Sequence, residues 1–207
     1  MFSSTFIRWC AIVAILGGLI YTTLGLLSFL GLYLYSPMAP GDLPLVLQYI
    51  GRITDRSLLF VIPGAMGAIA GLHVLQRAHY GLVGTLASLI AFLGVVLLLV
   101  GTVIESLLGP TFEPSLLFLI GGLLISTIGL IPLGAITIST RVLPWWCGTL
   151  LILGSPLFAL FLPGALQIVL PYEILHPLLV GGVWTLVGYS LLRQARVRPT
   201  LHPSRVS

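Results

Sequence analysis

The sequence predicts an all-α, polytopic membrane bundle of six transmembrane helices, with both termini on the cytoplasmic side and a short amphipathic outer helix near 42–55. Three observations carry this. Hydrophobic residues make up 58% of the 207-residue chain and charged residues 7%, against about a quarter charged in a soluble domain. A soluble fold of this length cannot hide that much apolar surface. Apolar runs recur that are each long enough to cross a hydrocarbon core of about 30 Å, which takes about 20 residues. Finally, arginines and acids divide between opposite ends of those runs.

The first run, 9–35, is about twice as long as a signal-peptide core, and no small-x-small cleavage pattern follows it, so it reads as a retained helix. The second and third, 57–76 and 80–104, are joined only by Arg77-Ala78-His79, which forces an antiparallel hairpin. The fourth, 115–139, turns through residues 140–144 into the fifth, 145–162. That fifth run is the weakest, because Gly154, Ser155 and Pro156 interrupt it, and a kink or break is expected there. The sixth, 174–192, closes a single domain over 1–192 and precedes a basic tail, 193–207, expected to be disordered. No run alternates polar and apolar residues as a barrel strand does, and a spanning backbone must satisfy its own hydrogen bonds, so each is helical. In DLPLVLQYIGRITDRS, apolar Leu43, Val46, Leu47, Ile50 and Ile53 recur at helical spacing behind an Asp42 N-cap, which gives the outer amphipathic helix.

Orientation follows from the arginines, because positively charged flanks stay cytoplasmic. With the N-terminus inside, Arg8, Arg77, Arg141, Arg193, Arg196, Arg198 and Arg205 are cytoplasmic, and only Arg52 and Arg56 are outside. All the acids (Asp42, Asp55, Glu105, Glu113 and Glu173) fall outside. Arg193, Arg196, Arg198 and Arg205 are placed to meet anionic lipid headgroups. No basic run with interleaved aromatics occurs, so nucleic acid is not an expected partner.

The groups able to do chemistry collect at the outer ends. Glu105 ends the third run, Glu113 follows in LLGPTFEPS, and Glu173 and His176 open the sixth in PYEILHP. Arg52, Asp55 and Arg56 precede the second run. Should helices two, three and six adjoin, these residues form one ligand-binding cluster at the outer mouth. Glu173 and His176 are three apart, a spacing used in di-metal bundles, but such a site needs two pairs and two further carboxylates. No metal or cofactor is therefore expected. Glu105 falls one turn above the hydrocarbon, and His73 and His79 flank a cytoplasmic turn, at the wrong depth to share a haem. Tyr21-Thr22-Thr23, Ser126-Thr127 and Thr185 are the polar groups nearest mid-membrane; Ser and Thr there usually bond back to their own helix. Gly64, Gly67 and Gly71 form one small-residue stripe, and Gly81, Gly84, Ser88, Ala91 and Gly94 another; the hairpin linkage predicts that they meet. No phosphate loop, zinc-protease histidine pair or Gly-x-Ser-x-Gly is present, so no catalytic residue is assigned.

In STRVLPWWCGTLLILGSPLF, residues 139–158, the Arg141, Leu143, Pro144 and Trp146 pattern resembles a turn recurring in bacterial polytopic membrane proteins of domain-of-unknown-function families. The resemblance implies a bundle of six to seven helices in a bacterial plasma (inner) membrane and supplies no activity. The expected function is a non-enzymatic scaffold, partner subunit or envelope component, contacting a membrane protein partner or a second copy of itself. A small permease using the outer-mouth cluster ranks second, and an intramembrane enzyme acting on lipid-linked substrates third.

Trp9–Cys10 and Trp146–Cys147 open the first and fifth runs, which enter the membrane in the same direction. Each tryptophan falls in the interfacial aromatic belt, and each cysteine lies one residue deeper, on a reducing side where lasting disulfides are rare. A membrane-impermeant maleimide applied to intact cells is expected to modify neither cysteine, and labelling of either would reverse the orientation.

Overall fold

Helices account for nearly all of what the computed structural model describes, namely residues 4–35, 58–109, 113–158 and 172–197, and no strand occurs among them. The helices are α1 (Ser4–Tyr35), α2 (Leu58–Gln76), α3 (Gly81–Leu108), α4 (Glu113–Thr140), α5 (Trp145–Leu153) and α6 (Tyr172–Val197). All but α5 are long and apolar enough to cross a membrane, so this is a membrane-embedded, multi-pass chain. The fifth run breaks where its composition says it should: α5 stops at Leu153, Gly154 and Ser155 form a turn and a bend, and residues 156–158 resume as helix. The outer helix near 42–55, residues 159–162 of the fifth span and the tail beyond Val197 lie outside the described residues. One boundary is corrected. The last helix continues past Leu192 to Val197, because Leu191 and Ala195 extend its buried face by another turn.

The helices close into a ring in chain order: each packs on the next, and α6 returns to α1. Close contacts fix the directions. A methyl group added at Gly101 would stand 3.0 Å from Leu119 N, while Gly94 abuts Ser126 and Gly129 abuts Ala91, so α3 and α4 run antiparallel. Along α1 and α6, Gly18 meets Gly181 and Gly25 meets the ring of Pro177, again antiparallel. One end of the ring thus carries Arg8, Arg77, Arg141, Arg193 and Arg196, and the other carries Glu105 and the starts of α4 and α6.

The two glycine stripes do not meet each other. A methyl group at Gly64 would lie 3.3 Å from Gly17 Cα, one at Gly67 3.0 Å from the Cys10 carbonyl and one at Gly71 3.1 Å from Cys10 Cβ, so the α2 stripe serves α1. The α3 stripe, through Ala91 and Gly94, serves α4. The short 77–80 turn makes α2 and α3 neighbours but does not select the faces that come closest. Among the described residues, turn conformations need the left-handed region at three places: Gly81 (φ 59°), Gly109 (φ 91°) and Arg141 (φ 51°). The first two are glycines, which take it freely; Arg141 takes it at the end of α4, where glycine is the usual residue.

The belt assignment shifts by one residue. Trp9 is 63% exposed and Trp145 is 68% exposed, whereas Trp146 is half-buried against the core. Cys10 and Cys147 are both free and buried. Silence toward a maleimide therefore has a second cause in burial, and only positive labelling discriminates.

A pair of substitutions in α4 separates packing from helix propensity. Gly129→Ala drives a methyl into the Ala91 backbone, while Gly121→Ala meets nothing within 4 Å. In thermal unfolding of the purified protein, Gly129→Ala is expected to destabilise by about 1–3 kcal/mol. Gly121→Ala is expected to be neutral or stabilising by up to about 1 kcal/mol.

Candidate functional site

Within the ring lies a cavity of about 330 Å³ lined by α1, α2, α3, α4, α6 and the break that follows α5. It begins at mid-bundle, beside Leu130 and Trp184, and extends toward the acidic end, where Leu58, Thr102, Leu119 and His176 stand. It does not continue to the arginine end. There Leu72, Leu75, Leu133, Leu151 and Leu191 are fully buried and fill the interior. Across that plug, the hydroxyl of Thr137 on α4 lies 3.2 Å from Oε1 of Gln76 on α2, both wholly buried.

Most of the cavity wall is aliphatic. Its polar groups come mainly from Tyr21, Thr102 and His176. Tyr21 Oη lies 3.1 Å from His176 Nδ1, and the two rings meet edge-on at 70° with centroids 6.1 Å apart. Local structure sets up this pair. Pro177 packs its ring into the gap left by Gly25, and Thr22 Oγ1 donates to the Pro177 carbonyl at 3.2 Å. These contacts draw the start of α6 onto α1 and bring His176 beside Tyr21. Thr102 spends its proton on its own helix, donating to the Leu98 carbonyl at 2.8 Å.

The break in α5 also borders the cavity, through Gly154 and Pro156. It frees backbone N–H groups that a continuous helix would satisfy. Leu157 N donates to Thr127 Oγ1 of α4 at 3.2 Å, while Ser155 Oγ is buried without a hydrogen-bond partner among the described residues. Ser126, Thr127 and Thr185 each bond back to the carbonyl four residues earlier, at 2.6, 2.7 and 2.8 Å.

Of the residues expected at the outer mouth, His176 reaches the cavity. It is turned inward onto Tyr21. Glu105 is half-buried, one turn beyond Thr102 on α3. The backbones of Glu113 and Glu173 lie at the starts of α4 and α6, but their side chains fall outside the described residues, as do Arg52, Asp55 and Arg56. α2 packs on both α3 and α6. Trp184 is the residue that sequence reasoning missed. It is 4% exposed, and its signal was a tryptophan at the centre of a span instead of at an interface.

An apolar chamber with one hydroxyl–imidazole pair can hold a compact apolar molecule and orient it through a single polar atom. Its volume sits at the small end of the range of about 300–1,000 Å³ for ligand sites. Compared with protein-family models, with curated proteins and with solved structures, the chain matches none.

The Tyr21–His176 pair predicts a measurable coupling. In a double-mutant cycle of Tyr21→Phe and His176→Phe followed by thermal unfolding, the interaction energy is expected to be about 0.5–1.5 kcal/mol, the worth of one neutral hydrogen bond. A value near zero would show that the two side chains are only neighbours.

Proposed function

We propose that the protein is a six-span integral membrane protein of the bacterial plasma (inner) membrane, with both termini cytoplasmic. In this reading its bundle acts without catalysis, as a receptor or partner subunit that holds a compact apolar ligand bearing one hydrogen-bonding group. The observation that carries this reading is the aliphatic cavity between α1, α2, α3, α4 and α6, with Tyr21 and His176 as its polar anchor. The orientation draws support from the gathering of Arg8, Arg77, Arg141, Arg193 and Arg196 at one end of the ring. A sixth crossing draws support from the apolar run that continues the broken α5 through 159–162. Arg193 and Arg196 are exposed and, with Arg198 and Arg205 after them, suit anionic headgroups. A membrane protein partner or a second copy completes the assembly.

A second reading, a small permease, rests on the break at Gly154-Ser155-Pro156 beside the cavity and on Ser155 Oγ. Interrupted helices frame substrate sites in many transporters. In that reading Arg52, Asp55, Arg56, Glu105, Glu113 and Glu173 surround the cavity mouth.

Photolabelling tests the first reading. A diazirine-bearing octanol added to the protein in lipid bilayers is expected to modify Tyr21 or His176. Leu98→Trp, which fills the cavity, should abolish that adduct while labelling of lipid-facing residues such as Leu82 persists. Adducts confined to the lipid-facing residues would sink the receptor reading. A proteoliposome solute flux lost in Glu105→Gln would instead move the assignment to the permease.

A further inference from the structure

A second polar group of residues lies outside the ring, at the arginine end. α2 is recessed between α1 and α3, leaving a groove of about 220 Å³ walled by Phe6, Ala70, Val74, Leu89 and Phe92. At its head, Tyr80 Oη lies 2.7 Å from His73 Nδ1 and 3.2 Å from Ser88 Oγ, and His73 Nδ1 lies 3.1 Å from Ser88 Oγ.

The shortest contacts assign the protons of this trio. Ser88 has one proton, and its shortest contact, 2.6 Å, is to the Gly84 carbonyl on its own helix. Tyr80 has one proton and three acceptors within reach: His73 Nδ1 at 2.7 Å, the His73 carbonyl at 3.2 Å and Ser88 Oγ at 3.2 Å, the shortest being Nδ1. A tyrosine phenol keeps its proton at neutral pH, so Tyr80 has one to donate. With Tyr80's proton assigned to this shortest contact, Nδ1 accepts and the neutral ring carries its own proton on Nε2. Every hydrogen bond of His73's ring among the described residues is made by Nδ1. Nε2–H is thus a donor awaiting an acceptor, on a half-buried side chain lining an apolar groove.

The next turn of α2 adds a charge. Arg77 N donates to the His73 carbonyl at 2.9 Å, so the helical path continues and Ala70, His73 and Arg77 fall on one stripe at i, i+3 and i+7. Arg77 is exposed. From the bundle's middle outward, the groove presents an aliphatic trough, then a single N–H donor, then a guanidinium. A phospholipid presents acyl chain, ester carbonyl and phosphate in the same order along the membrane normal.

We propose that this groove binds one anionic phospholipid of the arginine-side leaflet. Its acyl chain lies in the trough, an ester carbonyl accepts from His73 Nε2–H, and its phosphate meets Arg77. The site is separate from the central cavity and independent of what that cavity holds. An isoprenoid quinone shares the carbonyl and the apolar chain but has no group for Arg77.

Native mass spectrometry of the full-length protein, with phosphatidylglycerol or phosphatidylcholine added, tests the site. Wild type is expected to retain one phosphatidylglycerol and to release phosphatidylcholine. Loss of one charge-assisted hydrogen bond in Arg77→Gln should reduce phosphatidylglycerol retention about tenfold and remove the preference between the lipids. His73→Phe should weaken retention of both lipids and leave the preference intact. Ala70→Trp, which fills the trough, should release both. Arg77 is exposed, so its variant carries the test should Ala70→Trp fail to fold. Equal retention of the two lipids by wild type, or unchanged retention in Arg77→Gln, overturns the proposal, as does a quinone in place of phospholipid in the organic extract.

Discussion

The bundle depends on how closely other backbones can approach α1 at two adjacent glycines. A methyl at Gly17 would stand 2.7 Å from the Phe60 carbonyl of α2, and one at Gly18 would collide with the Gly181 carbonyl of α6. Consecutive residues on a helix point about 100° apart, so the two glycines dock α1 against two helices at once. Lipid tails are as apolar as leucine, so burial alone does not drive helices together, and van der Waals contact at small residues does. Gly94, Gly122 and Gly129 do the same for α3 and α4, and Gly134 and Gly148 for α4 and α5. The result is two tight groups, α6–α1–α2 and α3–α4–α5.

The cavity is what remains between them. Where the groups face each other the wall residues are branched or aromatic: Val61, Ile62, Leu98, Leu119, Leu123 and Trp184. Such side chains hold backbones apart. Toward the arginine end the same seam is filled by leucines and latched by Gln76 and Thr137. The latch is incomplete. Thr137 has one proton, and the Leu133 carbonyl at 2.8 Å competes for it with Gln76 Oε1 at 3.2 Å. Gln76 Nε2 has no partner among the described residues. Turned over, the amide would donate to Thr137 Oγ1 and free that proton for Leu133. Either way one polar atom of Gln76 stays unpaired in a dry interior, at a cost of about 1–3 kcal/mol, which the surrounding leucine packing offsets. The interior is therefore closed most firmly on the arginine side.

What the sequence made legible was local. The hairpin at 77–79, the interruption at 154–156 and the back-bonding of Ser126, Thr127 and Thr185 all depend on residues within a turn or two of each other. Partner choice was not legible. The Gly64-Gly67-Gly71 stripe says that some backbone comes close, and nothing in it says whether that backbone is α1 or α3. Adjacency through a short turn was a natural guess, and the closest approach belonged elsewhere. The candidate site divides the same way. His176 was legible as an ionisable group near a helix end, but its inward turn depends on Gly25, Thr22 and Tyr21, some 150 residues distant in sequence.

Both histidine sites solve one problem in the same way. A charged imidazole is costly in hydrocarbon, so a histidine serves there as a neutral donor only when its tautomer is set. A tyrosine hydroxyl stands beside Nδ1 in both, Tyr80 for His73 and Tyr21 for His176, where donating its proton would set the tautomer. The surroundings then separate the two roles. His176 lines a chamber enclosed by helices, where a guest must be compact enough to lie within about 330 Å³. His73 lines a trough on the outer face, with half-exposed Leu89 and Phe6 on its rim. A guest there can extend past the protein into the bilayer, so chain length is no barrier to entry. Selection in the groove falls to the one feature the chamber lacks among its lining residues, a guanidinium within a turn of the histidine.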